Sequence, residues 1–147
     1  ELQWYFDNTM TVYATIASGL FDTIGLFRQL NEAQHKIVGQ WVTAFNLEEV
    51  KYKPLARLSS SHQRLALLAR AMVKNPALLI LDEPCQGLDD QQIAEFRNIV
   101  DRLCEDPNRS LIYVTHYDNE LPQCINHTLN LNARSTTETW KKELQSY

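Results

Sequence analysis

The chain has 147 residues, of which 44% are hydrophobic and 22% are charged, an ordinary composition for one globular core. A formal charge of −4, with no basic run interleaved with aromatics, argues against nucleic acid as a partner. No stretch approaches the roughly 20 apolar residues that span a bilayer, and three cysteines without metal-type spacing favour reduced thiols in the cytosol over a disulfide framework or a zinc site.

Residues 9–53 are expected to be helical. Asn31 is followed three positions later by Gln34, which is the pattern of a capping box at the start of a helix. We interpret the aromatic residues that follow as core residues rather than platforms for base stacking. The apolar residues that recur at helical spacing, and so predict a buried face, are Ile37, Val38, Trp41, Val42 and Phe45.

A second helix is predicted over residues 61–74, which are rich in good helix formers. It should end at Asn75, because the residue before a proline disfavours helical backbone. The serines at 59–61 lie at the N-terminus of this helix, where unpaired N–H groups and the helix dipole attract anions. Helix capping is the alternative role of these serines.

Residues 78–81 form a short apolar run that leads directly into two acidic residues, Asp82 and Glu83. This pattern predicts a fully buried strand of a parallel sheet, and such sheets bind ligands at the carboxyl ends of their strands. One carboxylate suits Mg²⁺ beside phosphate oxygens, and its neighbour can orient or deprotonate an attacking water. We therefore expect phosphoanhydride hydrolysis, with a solvated acidic pair at the start of a loop as the alternative.

The next helix is predicted to begin after Asp89 and Asp90, one of which should cap it. A second apolar strand, residues 111–114, ends at Thr115 and His116. A lone histidine is more often structural than catalytic, but its position at the end of a strand favours an active role. The apolar face of the helix is formed by Ile93, Phe96, Val100 and Leu103.

Two elements are predicted near the end of the chain. Residues 126–131 alternate between polar and apolar, as an edge strand does. Residues 135–138 have the sequence Ser-Thr-Thr-Glu, a capping-box pattern that predicts a short C-terminal helix with Trp140 and Leu144. Neither element indicates a function.

The order of these features resembles the ATP-binding cassette family over roughly residues 9–131. The resemblance rests on the loop at 58–62, the strand ending at Asp82 and Glu83, the turn at 87–89, and His116. It implies an α/β fold, part of a P-loop-type nucleotide-binding domain with the Walker B half of a mainly parallel sheet. The helical subdomain would occupy residues 1–57, the ATPase core residues 58–131, and a C-terminal helix residues 132–147.

The resemblance also implies cofactors, roles and partners. ATP and Mg²⁺ would be bound, with Asp82 as the residue that holds the metal. Glu83 would be the general base, and His116 would contact the γ-phosphate and the attacking water. The implied partners are a second cassette, clamped head to tail around two nucleotides, and a membrane transporter subunit.

The loop at residues 58–62 departs from the family pattern Leu-Ser-Gly-Gly-Gln, because here its sequence is Leu-Ser-Ser-Ser-His. By the resemblance, Ser59 binds the phosphate of ATP held by the opposing cassette, and Asp89 lies across the interface between cassettes. Ser61 occupies the second glycine position, where its Cβ and hydroxyl would crowd the phosphate. His62 replaces the glutamine that supports the loop. We therefore expect slow or absent hydrolysis at the site that this loop completes.

A further departure is that the sequence contains no G-x-x-x-x-G-K-[S/T] loop, the backbone cradle for nucleotide phosphates. The chain also begins at Glu1 rather than at a methionine. We expect a fragment of a longer cassette, without a primary ATP site of its own. Gln3 is the nearest candidate for the glutamine of the family's Q-loop.

Three segments, residues 18–25, 83–89 and 124–127, resemble the ModF group of bacterial cassette ATPases. Members of that group carry two cassettes in one polypeptide and are associated with molybdate transport. The resemblance implies an ATPase subunit that energises a bacterial importer from the cytoplasmic side of the inner membrane. Two alternatives stay open: a regulatory cassette that binds ATP without hydrolysing it, and a soluble cassette with no transporter.

Overall fold

The computed structural model describes residues 9–26, 28–132 and 135–140. None of the helices in these residues has the length and apolar content needed to cross a membrane. Short 3₁₀ turns occur at Gly19–Phe21, Leu55–Arg57 and Asp118–Glu120. The helices and strands, in chain order, are α1 (Val12–Ser18), α2 (Glu32–Ala44), α3 (Ser60–Met72), β1 (Leu78–Asp82), α4 (Asp90–Leu103), β2 (Ser110–Val114), β3 (His127–Asn132) and β4 (Ser135–Trp140).

The helices begin where the sequence predicts capping residues. Asn31 and Gln34 form a reciprocal capping box at the start of α2, which confirms the prediction. Asp89 caps α4, and its side chain accepts a hydrogen bond from the N–H of Gln92 at 2.9 Å. Ser59 caps α3. Each cap satisfies an N–H group that the first turn of a helix otherwise leaves unpaired.

The predicted apolar faces form the core. On α2, Val38 and Val42 are fully buried, and Phe45 just after the helix packs against Trp41 with ring centroids 5.9 Å apart. Trp41 itself is half-buried against the core, as expected for a packing residue. The face of α4 is confirmed in full and includes one residue more than predicted; its buried members are Ile93, Phe96, Ile99, Val100 and Leu103.

Strands β1 and β2 pair in parallel, with α4 as the connection between them. The prediction of a fully buried β1 is wrong, since burial alternates along the strand. Leu79 is 4% exposed, whereas Leu78 and Ile80 are 50% and 59% exposed. On β2, Ile112 and Val114 are exposed as well. The helices of the described residues cover one face of this two-stranded sheet. Successive side chains along a strand point to opposite faces, so every second side chain lies on the uncovered face.

The C-terminal segment corrects a second prediction. Residues 135–140 form β4, not a helix, and pair antiparallel with β3 so that Thr128 lies opposite Thr139. Three threonines at 136, 137 and 139 favour extended backbone because they are β-branched, and β3 provides an edge for pairing. The edge strand expected at 126–131 is confirmed as β3. Leu144 and Gln3 lie outside the described residues.

Gly19 allows the end of α1 to approach α3 closely. A Cβ at this position would lie 2.3 Å from the backbone oxygen of Arg70 and 2.8 Å from Cγ2 of Val73. Real Cβ atoms do not come that close to a carbonyl oxygen, so a side chain would force the two helices apart. The contact between α1 and α3 therefore depends on the absence of a side chain at this residue.

Gly19→Ala should lower the free energy of unfolding by about 1–3 kcal/mol, as overpacking of a core typically does. Urea denaturation measures this change. Gly39→Ala is the matched control, because Gly39 lies within α2 and an added Cβ there meets no atom within 4 Å. That control should gain about 0.5–1 kcal/mol from the higher helix propensity of alanine. Equal effects of the two substitutions would contradict the close approach.

Candidate active site

The two predicted acidic residues lie at the carboxyl end of β1. Asp82 is the last residue of the strand, lies opposite Val114 of β2, and is exposed. The N–H of Glu83 continues the pairing by donating to the carbonyl oxygen of Val114 at 2.9 Å. Both carboxyl groups therefore leave the sheet at the edge where parallel strands present ligand sites.

Glu83 adopts left-handed backbone, with φ of 47°. This conformation costs a residue other than glycine about 1–2 kcal/mol, and such strain concentrates at functional sites. The turn aims the carboxyl group at the loop that follows β2. The sequence predicted the residue but not its strained backbone, which no pattern of residue types revealed.

The structure brings Glu83 and His116 together. Oε1 of Glu83 is buried from solvent, and Nε2 of His116 lies 3.1 Å from it, within ion-pair range but without the alignment of a hydrogen bond. The side chain of His116 is 84% exposed, compared with 26% for Glu83. A largely covered carboxyl group and an exposed imidazole thus lie side by side at the edge of the sheet.

The side chains at this edge of the sheet suit Mg²⁺ better than a metal ion that takes all of its ligands from the protein. Among the described residues no group of three histidine, cysteine or acidic side chains could surround a metal ion. Mg²⁺ commonly uses one or two protein carboxylates and completes its shell with water and phosphate oxygens. The exposed carboxylate of Asp82 suits that mode of binding.

The turn after Glu83 is fixed by contacts that the sequence analysis missed. The side chain of Arg64, on α3, donates to the carbonyl oxygen of Gln86. The thiol of Cys85 lies 3.2 Å from the hydroxyl of Tyr113. Burial raises the pKa of the Cys85 thiol and the pKa of the Tyr113 hydroxyl. Both groups therefore favour the protonated form near neutral pH, and their contact packs the turn against β2.

The serines of the loop at 58–62 lie at the start of α3. The hydroxyl oxygen of Ser59 is 2.8 Å from Nδ1 of His62, and the amide of Gln63 donates to the carbonyl oxygen of Leu58 at 2.9 Å. Gln63 thus supports the loop next to the position where a glutamine was expected. Ser61 is half-buried in the first turn. No hydrogen bond or ion pair found in the described residues joins this loop to Glu83 or His116.

Comparison with known families identifies the family of the chain. A family model described as "ABC transporter" matches residues 3–86, more than half of the chain. The chain belongs to the ABC transporter family. Its resemblance to ATP-binding cassettes and its α/β, P-loop-type fold class are thereby confirmed.

Relatives of this cassette are ATP-binding proteins. The chain is 42% identical over 120 residues to the ABC transporter ATP-binding protein ModF of Escherichia coli K12, which covers 81% of this chain and 24% of ModF. It is 30% identical to the zinc uptake system ATP-binding protein ZurA of Listeria innocua, which covers 93% of this chain and 53% of ZurA. The chain therefore spans a quarter to about half of these relatives.

A solved cassette supports the fold. This structure is a dimeric, post-hydrolysis state bound to ADP and Pi, with a TM-score of 0.74 and 19% identity. The match covers 93% of this chain and 59% of the solved chain. At this level of identity the likeness establishes the fold alone.

The strain at Glu83 predicts an inverted order of stability for two variants. The free energy of unfolding of Glu83→Gly should be about 1 kcal/mol higher than that of Glu83→Ala. The reason is that release of the left-handed strain outweighs the extra conformational freedom of glycine in the unfolded chain. Urea denaturation of both variants measures the difference. Glu95, which lies inside α4, is the control: there glycine should be the less stable of the two substitutions. The same order at both positions would contradict strain at Glu83.

Proposed function

We propose that this chain carries the hydrolytic acid–base residues of an ABC ATPase and works with a phosphate-binding loop supplied by other residues. The observation that carries the proposal is the contact between Glu83 and His116 at the carboxyl end of β1, beside exposed Asp82. Sequence supports the same activity, since the relatives at 42% and 30% identity are named ATP-binding proteins.

In this mechanism water attacks the γ-phosphorus of ATP, the bond from that phosphorus to the bridging oxygen breaks, and ADP and phosphate form. Glu83 accepts the proton of the attacking water as general base. His116 donates a hydrogen bond to the γ-phosphate, where negative charge must be stabilised. Asp82 would hold Mg²⁺, which when bound supplies charge neutralisation at the phosphates.

A second cassette is the partner that completes two nucleotide sites. Ser59 would contact the phosphate of ATP held by the opposing cassette, and Asp89 would lie at the interface while it caps α4. The N-terminus of α3 suits this role, because its first N–H groups and its dipole favour an anion. The dimeric state of the solved cassette, bound to ADP and Pi, is consistent with the arrangement.

The transport role is inferred from the similarity of this chain to ATP-binding proteins of transporters. We infer that the intact protein energises a bacterial importer and meets a membrane subunit through its helical part, at the cytoplasmic side of the inner membrane. The identity to ModF is higher than that to the zinc uptake protein. Because the sequence resemblance associates the ModF group with molybdate transport, molybdate is the cargo we propose. Co-purification with a membrane subunit tests this partner and separates a transporter from a soluble cassette.

A regulatory cassette is the second candidate function. The altered loop favours it, because Ser61 and His62 occupy the positions of glycine and glutamine in the family pattern. The contact between Glu83 and His116 speaks against a cassette that has lost all hydrolytic residues. Under this alternative, the pair of cassettes would close on ATP with turnover confined to one of the two sites.

Glu83→Gln in the full-length protein should retain ATP binding and slow hydrolysis by about 10²- to 10⁴-fold, since an amide keeps the shape of the side chain but cannot accept the proton. Nucleotide titration and release of phosphate measure the two effects. Glu95→Gln, on the exposed face of α4, is the control and should leave both unchanged. Unchanged turnover at the site of Glu83 would exclude it as the base.

Substitutions at Ser61 should move activity in opposite directions. Ser61→Gly removes the crowding atoms and should raise ATP-driven closure or turnover at the site completed by this loop. Ser61→Asp should abolish closure, because a negative charge would face the γ-phosphate at the helix terminus. Turnover at the site of Glu83 should stay nearly constant in Ser61→Gly. If neither substitution alters closure, the loop does not contact ATP.

A further inference from the structure

Glu120 is a buried acidic residue that the proposed chemistry does not use. It ends the 3₁₀ turn Asp118–Glu120, just after the loop that carries His116, and only 5% of it is exposed. A buried carboxyl group is costly unless hydrogen bonds compensate for the lost water. Its contacts therefore indicate what it does.

The hydrogen bonds of Glu120 lead to both neighbours of His116. The hydroxyl of Thr115 donates to Oε2 of Glu120 at 2.5 Å. The same hydroxyl oxygen accepts a hydrogen bond from the N–H of Tyr117 at 3.1 Å. The residue before His116 and the residue after it are thus tied to one buried carboxyl group.

Arg97 provides an anchor from a second element. Its Nη1 donates to the carbonyl oxygen of Asn119 at 2.9 Å, which holds the 3₁₀ turn against α4. The backbone of the loop therefore has fixed points on both sides of His116. The side chain of His116, in contrast, is 84% exposed and gains little from packing. Its position depends on the loop backbone rather than on neighbouring side chains.

We propose that Glu120 is a positioning residue, which holds His116 against Glu83 by orienting the hydroxyl of Thr115. A hydroxyl group has one proton to donate. Because Glu120 accepts that proton, the oxygen of Thr115 presents a lone pair to the N–H of Tyr117. Loss of the carboxyl group frees the hydroxyl to rotate and releases the N–H on the far side of His116. We call the two hydrogen bonds, from Thr115 to Glu120 and from Tyr117 to Thr115, the clamp. The effect on turnover rests on the proposed function of His116, whereas the existence of the clamp does not.

Removal of the clamp should act on the chemical step. In the full-length protein, Glu120→Ala and Thr115→Val should each lower kcat for ATP hydrolysis roughly 10- to 100-fold, the scale of a misplaced catalytic group. KM for ATP should stay within about twofold, because the contact matters in the transition state. Glu120→Gln and Thr115→Ser keep an acceptor and a donor in place and should retain most of the activity. A similar loss of kcat in Glu120→Gln and Glu120→Ala would overturn the proposed role.

The decisive comparison uses His116→Ala as the background. A residue that acts through His116 has no further effect once His116 is absent, so adding Glu120→Ala should leave the residual kcat unchanged. If Glu120→Ala lowers kcat in the His116→Ala background by the same factor as in the unmodified protein, Glu120 supports the fold in general and the proposal is overturned. If Glu120→Ala does not fold, Thr115→Val in the same background gives the same decision, because valine is close to threonine in shape.

Hydrogen exchange tests the clamp without reference to ATP. The amide of Tyr117 should be protected in the unmodified protein and should exchange at least about tenfold faster in Thr115→Val. The amide of Cys104, bonded to the carbonyl oxygen of Val100, is the control and should not change. If the unmodified full-length protein hydrolyses no ATP, the proposed function fails while this measurement still decides on the clamp. Unchanged exchange at Tyr117 would overturn the clamp itself.

Discussion

The parallel pairing of β1 with β2 is the constraint on which the candidate site depends. Asp82 lies opposite Val114, so the residues that follow each strand leave the sheet at the same edge. A slip of one residue would turn the side chains of a strand to the opposite face. The buried face of α4 and alternate side chains of the strands fix the register together. The contact between Glu83 and His116 is therefore a consequence of strand pairing, not of any sequence neighbourhood.

The helices then hold the loops that carry the candidate site residues. Arg64 of α3 reaches the carbonyl oxygen of Gln86 in the turn after β1, and Arg97 of α4 reaches that of Asn119 in the turn after β2. Hydrogen bonds from a charged group to a carbonyl oxygen are stronger than those from a neutral group, so each arginine anchors the backbone of one turn. Gly87, with φ of 77°, lets the first turn reverse before Asp89 caps α4. Strand ends, turns and helix starts thus form one connected unit.

Local patterns predicted most of the elements, and the misses share a cause. The capping box of Asn31 and Gln34 can be predicted from residues within one helical turn, and the structure confirms it. The helix predicted after Ser135 failed, because β4 depends on a partner strand that a capping pattern cannot detect. The exposure of Ile80 depends on which elements cover the sheet. The left-handed backbone of Glu83 depends on how the chain leaves the carboxyl end of β1. Long-range contacts of this kind leave no periodic trace in a sequence.

Under the proposed function, the altered loop at residues 58–62 and the contact between Glu83 and His116 belong to two different nucleotide sites. Ser59 has one proton to donate, and Nδ1 of His62 lies 2.8 Å from its oxygen. In the tautomer without a proton on Nδ1, the serine donates to His62 and has no proton left for a phosphate. In the other tautomer, Nδ1–H donates to the serine oxygen, and the hydroxyl proton is free. Under the proposed function, the tautomer of His62 would determine whether Ser59 can serve an opposing nucleotide, and the contact between Glu83 and His116 does not depend on that choice.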